Sequence, residues 1–204
     1  MRVGLIGDLH GEVEWVKRQI RLSSPDFCIQ VGDYWAYNTT WDVPVYWCLG
    51  NHEESSAVKL LQKNIFAPLH KVWFWDKNSF WQKGGEKVEI EGVSIVFLPG
   101  KVREDPSPGP AGFEYEIWEQ CMHIKGGVDI VVSHGCAFPF QVNLFGKIIQ
   151  CEEEGITQVV RHLSPKIAIS GHNHEQFVED KEGILLYRMG IANVKGSGYK
   201  VIEV

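Results

Sequence analysis

The sequence predicts an α/β fold. Short apolar runs alternate with helix-periodic segments through the first third of the chain, the pattern of βαβ units around a largely parallel sheet. The second half adds closely spaced short strands with hairpin signals. Along the whole chain, apolar runs end in a small residue followed by Asp, Asn or His. The 204 residues suit one domain spanning 1–204, large enough to bury a core without disulfide or metal staples. No internal repeat and no linker of distinct composition divides them.

Residues 2–7 read as a buried strand ended by Gly-Asp. Val13, Val16 and Ile20 set helical spacing over 12–22. A second strand, 27–31, is closed by Gly32-Asp33, and a third, 44–49, by Gly50-Asn51. A helix is expected over 53–64. Short strands follow at 71–75, 79–83, 87–91 and 93–98, with turns at Gly84-Gly85 and Glu91-Gly92. The Pro- and Gly-rich stretch from Pro99 to Pro110 is a loop. A helix over 113–124 leads to a buried strand at 128–133 that ends in Ser133-His134-Gly135. Residues 152–163 are helical, and the strand 166–170 ends in Gly171-His172-Asn173-His174. Strands at 184–189 and 199–203 complete the chain.

Composition narrows the function classes. Asp and Glu outnumber Lys and Arg by 26 to 20, a net charge of −6, which disfavours extended nucleic acid as a partner. The run Lys17, Arg18 and Arg21 is the one local basic cluster weighed against that. No run of about 20 apolar residues is present, so no membrane span is expected, and the first residues lack the features of a secretory signal. Five Cys without CxxC spacing, with Cys28 and Cys48 in apolar runs, read as buried free thiols of a reducing cytoplasm. Eight His is the unusual count, and most of them lie at strand ends.

Five segments carry potential ligands: Gly7-Asp8-Leu9-His10-Gly11, Gly32-Asp33, Gly50-Asn51-His52-Glu53, Ser133-His134-Gly135 and Gly171-His172-Asn173-His174. In an open α/β sheet, ligands bind beyond the carboxyl ends of strands, so the five can converge on one edge. Asp8 and His10, and likewise His172 and His174, are two residues apart and would share one side of an extended segment. Mixed imidazole and carboxylate ligation suits Mn, Fe, Zn or Ni better than Ca or Mg, with Mn the first expectation. Asp8, His10, Asp33, Asn51, His134, His172 and His174 exceed the needs of one tetrahedral ion. Two divalent ions bridged by Asp33 are therefore expected. Such a pair suits in-line displacement at phosphorus by a metal-held hydroxide. His52 is left free of the metals as the catalytic residue, to donate to developing charge or protonate the leaving oxygen. Two such ions would add about +4 at that edge, so an acidic chain can still receive an anion.

The ordered set GDLHG, GD, GNHE, SHG and GHNH, running from residue 7 to 174, resembles the calcineurin-like metallophosphoesterase family. The resemblance implies a sandwich of two mixed β-sheets flanked by helices, with a dinuclear site at the strand ends. It also implies Asp8, His10, Asp33 and His174 on one metal, Asp33, Asn51, His134 and His172 on the other, and His52 as the catalytic histidine. The expected activity is hydrolysis of a small or nucleotide-like phosphate ester, as a phosphodiesterase or phosphatase. A nuclease, a protein phosphatase and a non-catalytic scaffold are the alternatives. One block departs from the family pattern. GDxxD or GDxxN is usual, with an Arg following in protein phosphatases, but here the chain reads Gly32-Asp33-Tyr34-Trp35-Ala36-Tyr37. The group that would orient His52 and the phosphate-binding Arg are both missing, which weakens the protein-phosphatase reading and tilts the balance toward diesters.

Other features have two readings each. Tyr34, Trp35, Tyr37 and Trp41 are either a stacking platform for a nucleobase or aryl group, or loop packing. Trp73, Phe74, Trp75, Phe80 and Trp81 read as core or a dimer surface, and the oligomeric state stays open. Loop 100–112 could bring Lys101 and Arg103 to a phosphate or be a solvated connection. The stretch 136–148, with Cys136, Phe138, Phe140 and Phe145, is a candidate pocket wall. Glu53 either supports the site or opens a helix. His70, His123 and His162 read as structural.

Overall fold

In β7 (Val93–Leu98), Val93, Ile95 and Phe97 face one way and Val96 and Leu98 the other, and all are buried. A strand covered on both faces must lie between two layers, so the period of two in side-chain direction already calls for a sandwich. The computed structural model has that architecture. It describes residues 1–37, 39–53, 72–73, 78–100, 115–144, 147–151, 153–192 and 197–204.

The first sheet contains β1 (Arg2–Ile6), β2 (Phe27–Gln30), β3 (Val45–Trp47), β4 (Val72–Trp73), β5 (Ser79–Trp81) and β14 (Tyr199–Glu203), in the order β14-β1-β2-β3-β5-β4. The second contains β6 (Lys87–Ile90), β7, β8 (Ile130–Ser133), β11 (Ile167–Ser170), β12 (Phe177–Lys181) and β13 (Ile184–Arg188), in the order β12-β13-β11-β8-β7-β6. Each sheet has four parallel strands at its centre and one antiparallel strand at either edge. Three of the four antiparallel edges have a simple cause: β4 and β5, β6 and β7, and β12 and β13 are each joined by a connection too short to cross over.

The inner faces meet in one core. Val3, Leu5, Phe27, Ile29 and Tyr46 from the first sheet pack on Ile95, Phe97, Ile130, Val132 and Ile169 from the second. Helix α1 (Val13–Ser23) covers the outer face of the first sheet with Val16 and Ile20, and stops where Ser24 turns left-handed and returns its N–H to the Ile20 carbonyl. Helices α2 (Tyr115–Met122) and α3 (Glu154–Leu163) cover the second sheet through Ile117, Cys121, Ile156, Val159, Val160 and Leu163. No helix among the described residues is long and apolar enough to cross a membrane.

Several sequence expectations are corrected here. The hairpin of β9 (Phe140–Leu144) and β10 (Lys147–Cys151), within and just beyond the candidate pocket wall 136–148, and strand β12 were not among the expected strands. Both lack a clean apolar period: β12 alternates half-buried with exposed positions and carries Glu179, Asp180 and Lys181. The expected helix 53–64 lies outside the described residues beyond Glu53. So do 71 and 74–75 of the expected strand 71–75, His70, Phe145, and nearly all of loop 100–112 with Lys101 and Arg103. Cys28, Cys48, Cys121 and Cys136 are free and buried.

Candidate metal centre

Strand ends deliver the site. Asp8 and His10 follow β1, Asp33 follows β2, Asn51 and His52 follow β3, His134 follows β8, and His172 and His174 follow β11. These eight residues meet across the edge where the carboxyl ends of the parallel strands of both sheets lie.

Two groups form. Asp8 Oδ2 lies 3.0 Å from His174 Nε2, which is 3.4 Å from His10 Nε2. Asp8, His10 and His174 each bring a potential ligand atom within 4.8 Å of the others. In the second group, Asn51 Oδ1 is 2.7 Å from His134 Nε2 and 3.1 Å from His172 Nδ1. Asp33 stands between them, with Oδ2 3.7 Å from His10 Nε2 and 3.8 Å from His134 Nε2. That oxygen is buried and has no hydrogen-bond partner, while Oδ1 accepts the His52 N–H at 2.8 Å.

The donor set fits cations. His134 Nδ1 lies 3.0 Å from the Val31 carbonyl. A proton on Nδ1 satisfies that oxygen and leaves Nε2 with a lone pair aimed at Asn51 Oδ1 and Asp33 Oδ2. Acceptors that converge in this way repel one another unless a cation stands among them. A buried carboxylate oxygen without a donor makes the same demand. Burial pushes His10 and His172 below the ordinary imidazole range, which keeps their lone pairs free, whereas the hydrogen bond to Asp8 raises His174.

The route of convergence differs from the extended pairs expected from the i, i+2 spacing. His10, Asp33, His172 and His174 have φ of 43°, 53°, 71° and 59°, all left-handed. Sharp turns, not a shared strand face, aim these side chains, and His172 and His174 separate into the two groups. Backbone this strained persists where its surroundings over-determine it. The preceding glycines have a related cause. A Cβ on Gly50 would collide with Asp33, and one on Gly171 with Asp8. Each glycine thus makes room for the carboxylate of another segment.

Four supporting residues complete the site. Gln30, fully buried at the end of β2, donates to the carbonyls of Gly7 and Gly32 and accepts the Gly32 N–H at 3.0 Å, so one amide fixes the turns that carry Asp8 and Asp33. A polar residue closing the apolar run Phe27-Cys28-Ile29 was its only signal in the sequence. Buried Glu53 accepts the N–H groups of Tyr34 and Gly50 and the Tyr37 hydroxyl, which favours its supporting role. Glu153 lies against Gly135, and burial raises its carboxyl to about 7. Nothing in the run Glu152-Glu153-Glu154 marked it. Cys136 accepts a hydrogen bond from Asn173 at 2.8 Å, and burial pushes its thiol up to about 11, so it links two ligand segments without being a nucleophile.

The aromatic run divides. Tyr34 is fully buried, stacks on Trp47 at 4.3 Å and accepts the Trp41 indole N–H, and Trp41 is buried too. These are packing groups. Trp35 is exposed at the rim, and Trp81 and Phe80 are core.

Solved structures of low identity share the architecture. A phosphopantetheinyl hydrolase from Mycobacterium tuberculosis is 11% identical at a TM-score of 0.55, over 98% of this chain and 95% of that one. An archaeal phosphodiesterase is 13% identical at 0.51, over 100% of both. GAP50 of Plasmodium, described as the anchor in the inner membrane complex, is 12% identical at 0.58, over 98% of this chain and 80% of that one. At such identities the likeness is one of fold. No curated protein matches the sequence. The family model described as calcineurin-like phosphoesterase matches residues 1–176, through every one of the ligand-bearing segments, and the chain belongs to that family.

Proposed function

We propose that the chain is a dinuclear-metal hydrolase of small or nucleotide-like phosphate esters, diesters ahead of monoesters. The observation that carries this reading is Asp33 Oδ2, buried, without a donor, and nearly equidistant from His10 and His134. Asp8, His10, Asp33 and His174 would hold one ion, and Asp33, Asn51, His134 and His172 the other. When bound, the pair would act as a Lewis acid on the phosphoryl oxygens.

The chain's own residues do the rest. Asp33 presents one oxygen to the centre because the His52 N–H occupies the other. The His52 ring, half-buried at the rim, has no hydrogen bond among the described residues and is free to give a proton to a leaving oxygen. Its main chain is held at both ends, since its carbonyl accepts the Trp35 indole N–H at 2.6 Å. That double anchor fixes the backbone from which the ring projects, while the carboxylate that would orient the ring itself is missing at Ala36.

Charge supports a small substrate. Arg21 pairs with Asp42 at 2.9 Å and Lys17 with Glu14 at 3.8 Å, so the basic cluster on α1 is largely neutralised. A scaffold role has fold likeness behind it, but the intact set of His, Asp and Asn side chains speaks for chemistry. Manganese is the first cation to test, and a cytoplasmic setting accords with the four buried free thiols. The Mn²⁺-loaded protein should hydrolyse bis(p-nitrophenyl) phosphate faster than p-nitrophenyl phosphate and carry about two ions per chain. A folded, metal-loaded chain inert on both esters overturns the reading.

A further inference from the structure

Trp35 is 43% exposed, between Tyr34 at 0% and Ala36 at 3%. Its neighbours in the aromatic run found packing partners, and it did not follow them inward. Its backbone is left-handed, with φ of 45°, a conformation rarely adopted by a bulky residue and held here by its surroundings. The ring is nonetheless fixed. Its N–H donates to the His52 carbonyl at 2.6 Å, and its plane stands at 75° to the His10 ring with centroids 5.1 Å apart. An exposed indole that is strained, anchored and set against two site histidines is a preorganised surface, and it meets a ligand with little left to order. It lies on the side of the centre where His52 stands, the side of the leaving oxygen in the proposed reaction.

We propose that Trp35 is the specificity-determining wall of the site, on which the planar leaving group of an aryl or nucleobase-bearing phosphate ester stacks. This rests on the phosphoesterase reading above and deepens it by naming a substrate class. A stacking surface of this kind accepts any flat π-face, so it selects base or aryl against sugar or alkyl without selecting one base from another.

The test is binding to the Mn²⁺-loaded protein by calorimetry, with adenosine 5′-monophosphate and ribose 5-phosphate as probes that differ only in the base. The unaltered chain should prefer the adenylate. In Trp35→Leu the ratio of the two affinities should fall about tenfold. In Trp35→Phe, which keeps a ring and loses the N–H, most of the ratio should return. A merely structural role would weaken both probes alike and leave the ratio unmoved, and that result, or an unchanged ratio with unchanged affinities, overturns the proposal alone. Failure of the unaltered, metal-loaded chain to bind either phosphate also overturns this proposal, whereas the reading beneath it falls only if that chain is inert on both p-nitrophenyl esters.

Discussion

The two sheets follow one plan and contribute different chemistry. Both have four parallel strands between antiparallel edges. Yet the loops of the first sheet supply Asp8, Asp33 and Asn51, with His10 their single imidazole among the proposed ligands, while the second supplies only His134, His172 and His174. The oxygen side is the deeper one: Asp8 and Asp33 are 0% and 1% exposed. It is also the more braced, through Gln30, Glu53 and the His52 N–H. The imidazole side reaches inward from more open loops, and His172 and His174 remain exposed. Neither sheet has a complete ligand group. Each proposed ion would be held across the seam between the sheets, by the buried carboxylates of one side and by imidazoles of the other, of which His134 is buried and His172 and His174 are exposed.

That contrast can be broken at Asp33 first. Asp33→Asn removes the bridging charge, and metal analysis should find both ions lost or weakened together, with turnover down at least about a hundredfold. Two ions per chain with full activity would mean that Asp33 bridges nothing. His52→Ala comes next. It should lower kcat by about 10²–10⁴-fold while metal content stays unchanged, since the proposed role of the ring is to pass a proton and not to bind an ion. Chelation tests the seam itself. Removing the proposed ions, which would join two sheets, should lower Tm by several degrees, at roughly 2–4 °C per kcal/mol for a chain of this size. An equal Tm with and without metal would show that the sheets do not depend on the ions.

The smallest expected effect lies on the second sheet. The Glu153 carboxyl is raised to about 7 by burial. A carboxyl raised in the folded state favours folding less as pH rises past its unfolded value, so its cost is small at pH 5 and fully present above pH 7. In the metal-stripped protein, Glu153→Gln should therefore raise Tm at pH 8 and leave it nearly unchanged at pH 5. A gain of the same size at both values would assign the effect to packing.

The candidate ligands stood out because strand-end chemistry is local. An apolar run, a glycine and an acid or imidazole lie within three residues, and the order of five such segments carries the family resemblance. Fold class and the alternation up to β3 were legible for the same reason. What the sequence concealed depends on partners distant along the chain. Gln30 looks like any strand residue until Gly7 and Gly32 are placed beside it. Glu153 is one of three acids until Gly135 presses against it. Tyr34 and Trp35 are adjacent aromatics, and only the fold sends one into the core and the other to solvent. The i, i+2 argument failed because it assumed extended backbone where the turns are left-handed.

One consequence concerns folding order. His10 and His174 approach within 3.4 Å although 164 positions separate them. Contacts of such range form late, after loop closure has brought distant segments together. A chain that has built only β1 to β3 holds His10 with the carboxylates and the amide, and lacks the other three imidazoles. Ion capture would then be a property of finished molecules alone, and metal content per chain would measure the fraction of a preparation that has completed its fold.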